Sequence, residues 1–92
     1  MPIGAADIQN LTLRVQRWLD ADLLLEEEGA ALLAETGAAG RSLEQGDGQE
    51  AGRHLERLAH LTEALVQTDA LAPADGQGVI RTARRLAAED GG

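Results

Sequence analysis

The sequence predicts an all-α domain, an antiparallel up-and-down four-helix bundle, and three observations carry that prediction. Leu and Ala dominate the apolar residues, and the aromatic set is a single Trp with no Phe or Tyr. Leu and Ala are strong helix formers, whereas the β-branched and aromatic types that favour strands are scarce. Apolar residues recur at three- and four-residue steps in four separate stretches, the period of a helix with one buried face. Short connections separate the stretches, so each helix runs antiparallel to the one before it.

The first helix is expected from Asp7 to Asp20, with Ile8, Leu11, Val15, Trp18 and Leu19 on one stripe and Asp7 as its N-cap. A turn over Asp20 to Leu24 leads to a second helix from Leu25 to Gln45. Glu26, Glu27 and Glu28 lie in its first turn, where the helix dipole favours anions. Its apolar face is expected to be Leu25, Leu32, Leu33, Ala39 and Leu43. Gly46 suits the left-handed position that ends a helix. Asp47 then caps the next one, with Glu50 three residues on as its capping-box partner. The third helix covers Gly48 to Thr68, with Ala51, Leu55, Leu58, Thr62 and Leu65 inward. Pro73 fits the first turn of a fourth helix that ends near Glu89. That helix buries Val79, Ile80, Ala83 and Leu86, with Arg84 and Arg85 near its C-terminus. One domain over 7–89 is expected, with 1–6 and 90–92 as mobile tails.

Charge and composition exclude several functions. The chain of 92 residues carries 16 acidic and 8 basic residues, a net charge of −8, and every basic residue is Arg. Phosphate recognition needs a basic surface, and an anionic membrane attracts one, so neither nucleic acid nor a charged bilayer is an expected partner. Without Cys there is no disulfide framework and no thiolate metal site. No stretch approaches the length of a membrane span, and no signal peptide is present in the sequence as it stands. The location expected is extracellular for a fragment of a larger secreted protein and cytoplasmic for a stand-alone chain.

Candidate chemical sites each meet a simpler explanation. Glu56, His60 and Glu63 share a face of the third helix and could seed a carboxylate–imidazole metal site. A di-iron bundle needs such a motif on two helices with two further Glu, so a solvated face threaded with Arg53 and Arg57 ion pairs is expected instead. His54 lies about 240° around the helix from His60 and cannot share its ligand. Asp20, Asp22 and Glu26 to Glu28 resemble no calcium loop, because Leu23, Leu24 and Leu25 interrupt them. Ser42 lacks the preceding Asp and the helix start of a carrier-protein serine. Gly46-x-Gly48 follows a helix, so it is no dinucleotide fingerprint. No catalytic, cofactor or metal residue is therefore expected, and the protein is expected not to be an enzyme. Trp18 is expected as a core or rim anchor, with contact to a partner as the alternative.

A familiar pattern runs through these packing positions. Ile8, Leu11, Val15 and Trp18, then a short turn, then Ala30 and Leu33 resemble the start of the FIMAH-type helical domain. Leu43-x-x-Gly46-Asp47, Ala51-x-x-x-Leu55-x-x-Leu58, and Ala83 with Leu86 continue the resemblance across residues 7–88. The chain departs from it at Asp22, where Gly is usual, at Gly37, where a larger apolar residue is usual, and at Leu58, where Phe is common. The resemblance implies a non-catalytic module near the C-terminus of a large secreted bacterial protein, often a hydrolase. It implies protein–protein contact or the spacing of covalently linked domains. A small intracellular carrier or regulatory subunit is the alternative.

One surface stands out for binding. Gly29, Leu33, Gly37 and Gly40 follow one another at steps of four, four and three along one side of the second helix. Glycine in a helix interior costs about 1 kcal/mol relative to Ala, so a close backbone approach is expected to compensate. Either a neighbouring helix of the bundle makes that approach, or the stripe faces outward and receives a helix from a partner or a second copy.

Overall fold

The computed structural model describes residues 4–91 as four helices: α1 (Ala5–Asp20), α2 (Glu26–Glu44), α3 (Gly48–Gln67) and α4 (Pro73–Gly91). They form the antiparallel up-and-down bundle that the apolar spacing predicts. The seams run between chain neighbours, α1 with α2, α2 with α3 and α3 with α4, while α1 and α4 touch only thinly. Of the expected mobile tails, Met1–Ile3 and Gly92 lie outside the described residues, whereas Ala5 and Ala6 are helical and α4 reaches Gly91.

The ends of α1, α2 and α3 have identifiable causes, and two differ from expectation. The N-cap of α1 is Gly4, not Asp7. Asp7 sits one turn in and accepts from the Gly4 amide at 3.2 Å, while its own amide donates to the Gly4 carbonyl at 3.1 Å. A carboxylate at this third position satisfies an otherwise orphaned donor, so the helix starts three residues earlier than an Asp7 N-cap implies. At α2 the Glu28 side chain likewise accepts from the Leu25 amide at 2.8 Å. Leu25 is the N-cap and is 62% exposed, so it does not belong to the buried face of α2. Leu24, one residue earlier, enters the core instead.

The α2–α3 turn keeps Gly46 in the left-handed region at φ 76°, as expected. The Gly46 amide donates to the Leu43 carbonyl at 3.0 Å and the Asp47 amide to the Ser42 carbonyl at 2.8 Å, the two bonds of a Schellman motif. Asp47 caps α3 by accepting from the Glu50 amide at 3.1 Å. The reciprocal half of the expected capping box is missing, because the Asp47 amide is already committed to Ser42. Asp47→Ala is expected to lower stability by about 1 kcal/mol, read by thermal melting.

The same two-bond closure ends α1 and α3, but with Asp in the left-handed position. Asp22 has φ 58° and Asp69 has φ 62°. The Leu23 amide reaches the Trp18 carbonyl at 2.8 Å, and the Ala70 amide reaches the Leu65 carbonyl at 2.9 Å. A side chain disfavours this conformation, although Asp tolerates it better than most residues. Asp69→Gly is therefore expected to raise stability by about 0.5–1 kcal/mol in urea titration.

The core is assembled from one stripe per helix. Ile8, Leu11, Val15 and Trp18 come from α1, and Leu32 and Ala39 from α2. Ala51, Leu55, Leu58 and Ala59 come from α3, and Val79, Ile80, Ala83, Leu86 and Ala87 from α4. Leu71 in the last connection is buried with them, while Leu19, Leu33, Leu43 and Leu65 are half-buried at the margins. Three hydroxyl residues, Thr36, Ser42 and Thr62, are buried with this apolar set. Thr36 donates to the Leu33 carbonyl at 3.0 Å and Thr62 to the Leu58 carbonyl at 2.7 Å. Each threonine thereby hides its polar atom against its own helix and presents its methyl to the core.

Candidate functional site

A concavity lies along the α1–α2 seam, at the end where α1 begins and α2 hands over to α3. It is an open groove of about 730 Å³. One wall is Ala5, Ile8, Gln9 and Thr12 of α1, and the other comes from α2 between Thr36 and Glu44. Gly46 and Gly48 complete its end. The lining is chiefly small and apolar, and Glu44 is its one charged residue.

The glycine stripe divides on this groove. Gly29 is buried and belongs to the bundle: a Cβ there would run into the Leu19 side chain of α1. Leu33 packs half-buried against the core. Gly37 is exposed, and a Cβ on it would meet only the Arg41 guanidinium, at 3.6 Å. A Cβ on Gly40 would meet only Ile8 Cγ2, at 3.9 Å. Both are ordinary contact distances, so packing within the bundle requires neither glycine. Gly37 and Gly40 line the groove, while Gly29 and Leu33 do not. Trp18 is 7% exposed in the core and is also not part of the groove.

The polar residues singled out for chemistry are spread over separate surfaces. Glu63 binds Arg84 of α4 at 2.6 Å, leaving Glu56 and His60 exposed on α3. Arg53 pairs with Glu50 at 3.3 Å in solvent, an arrangement worth a few tenths of a kcal/mol at most. Ser42 is buried in the last turn of α2. Among the described residues, no group of three or more His, Asp or Glu side chains could hold a metal ion. None of the described helices is long and apolar enough to cross a membrane.

Sequence reasoning missed the Glu63–Arg84 pair and a second contact between helices. His54 Nδ1 lies 2.8 Å from Glu35 Oε1 across the α2–α3 seam, and its Nε2 lies 3.5 Å from Glu50. Glu35 and His54 are each only 16% exposed, so the pair helps fix how α3 sits against α2. Its partners lie 19 residues apart on different helices, and no local spacing signals them.

The exposed apolar residues form a second feature. Leu23 and Leu25 flank buried Leu24 in the α1–α2 turn, and Leu13 and Leu61 stand singly on α1 and α3. Isolated exposed leucines are common on protein surfaces. The chain matches no family model, and no curated protein or solved structure resembles it significantly.

Proposed function

We propose that the protein is a non-catalytic helical module that makes protein–protein contacts, an accessory part of a larger bacterial protein of the FIMAH-like, secreted kind. The observation that carries this reading is the α1–α2 groove with Gly37 and Gly40 in its wall. Those two glycines weaken α2 by about 1 kcal/mol each relative to Ala. The bundle offers no internal contact that needs them. An outside surface that closely approaches the α2 backbone supplies the reason. Their place in an apolar, open depression suits a protein side chain or helix better than a small polar metabolite.

The test is retention of a partner from an extract of source cells on immobilised protein, with Gly37→Leu as the control. A discrete protein held by the original chain and lost by a variant of unchanged melting temperature is the expected result. Equal retention by both, or no retention, removes the groove from the function and leaves domain spacing in its place. The carrier alternative has its own readout. Burial of Ser42 leaves its hydroxyl poorly placed for a prosthetic arm. A phosphopantetheine adduct on Ser42 in the intact mass would establish that reading and displace this one.

A further inference from the structure

We propose that His54 is an acid-strengthened latch that ties α3 to α2, its protonated ring bridging Glu35 of α2 and Glu50 of α3. The two ring nitrogens face different carboxylates: Nδ1 lies 2.8 Å from Glu35 Oε1, and Nε2 lies 3.5 Å from Glu50 Oε1. A neutral imidazole carries one N–H, so it can donate to only one of them. The short contact to Glu35 takes that proton, and the Nε2 lone pair is then left facing the Glu50 carboxylate. Protonation makes both nitrogens donors and places a positive charge between two negative ones. The Glu35 and His54 side chains are each 16% exposed, so salt screens their contact less than it screens the surface pairs.

The charges around the ring allow this role. On α2, Glu35 is the facing group; Glu28, two turns earlier, is held at the Leu25 amide, and Arg41 lies beside Gly37. On α3, Arg53 takes the other oxygen of Glu50 at 3.3 Å in solvent, and Arg57 is exposed one turn beyond His54. Among the described residues, Glu35 has no ion-pair partner but His54, and α1 and α4 bring no carboxylate within ion-pair distance of the ring. His60 is exposed and lies about 240° away around α3, so it takes no part. Carboxylates ordinarily hold their charge above about pH 4, and imidazole holds its proton below about pH 6.5. The bridge is complete between those limits. Its contribution to stability is lost as pH rises through the imidazole range and again as pH falls through the carboxylate range.

The test is urea unfolding of the full chain at about pH 5.5 and about pH 8, on either side of the imidazole range, followed by helical circular dichroism. His54→Gln, Glu50→Gln and His60→Gln are measured beside it. The original chain is expected to unfold at a higher midpoint at the lower pH, by roughly 0.2–0.5 M urea, the size one partly screened ion pair produces. His54→Gln keeps a neutral donor for Glu35 and is expected to abolish that difference, whereas His60→Gln keeps it. Glu50→Gln retains the short contact and is expected to shrink the difference, so it tests the bridge even where His54→Gln fails to fold. An undiminished difference in His54→Gln would mean that relief of the −8 net charge produces it, and the proposal fails. It fails equally if the original chain shows no difference, if His60→Gln removes it, or if Glu50→Gln leaves it unchanged.

Discussion

Leu58→Ala is expected to lower the unfolding free energy by about 2–4 kcal/mol, the usual cost of truncating a buried leucine. Leu58 is 0% exposed in the middle of α3, which packs against α2 on one side and α4 on the other. The lost side chain leaves a void in the close-packed interior, which adds to the lost burial. For a domain of this size each kcal/mol shifts the melting temperature by about 4–8 °C, so the change is measurable from Trp18 fluorescence or helical circular dichroism. A cost below about half a kcal/mol would mean that α3 is rotated away from the orientation described above.

Two substitutions of the same kind in α2 are expected to act in opposite directions. Gly29→Leu forces a branched side chain into space held by Leu19, and overpacking of this kind costs about 1–3 kcal/mol. Gly37→Leu adds its side chain over an open groove and replaces a poor helix former with a good one, which stabilises by about 0.5–1 kcal/mol. Urea titration of the two variants side by side separates the cases. Equal losses would place Gly37 inside the bundle and remove the groove. Only Gly37→Leu blocks the α1–α2 groove, so a stable variant of this kind also serves as the binding control.

Helices with segregated apolar residues were legible from spacing alone. In α1, α3 and α4 the expected inward positions are the buried or half-buried ones, because leucine, isoleucine and valine fall on one stripe and charge on the other. Helix α2 was harder. Its alanines and leucines are spread around the circumference, and its buried face is completed by Gly29, Thr36 and Ser42. None of these reads as core by type. Thr36 enters because its hydroxyl bonds to its own helix, and Gly29 because Leu19 covers it, and neither fact can be seen in local sequence. Leu25 was misplaced for a related reason. In a run of three leucines the spacing cannot say which one turns inward, and the Glu28 bond to the Leu25 amide fixes Leu25 at the cap. The groove was half legible: glycine spacing marked Gly37 and Gly40, whereas the split from Gly29 depends on where α1 lies.

The thin contact between α1 and α4 has a kinetic consequence. Each helix finds its main neighbour directly before or after it in the chain, so assembly closes only short loops. Loop-closure entropy grows with the length closed, and folds built from near-sequence contacts cross the smallest barriers. The chain is therefore a rapid folder, completing the bundle in about microseconds to milliseconds. It can extend helix by helix from the α2–α3 hairpin, without first bringing its two ends together.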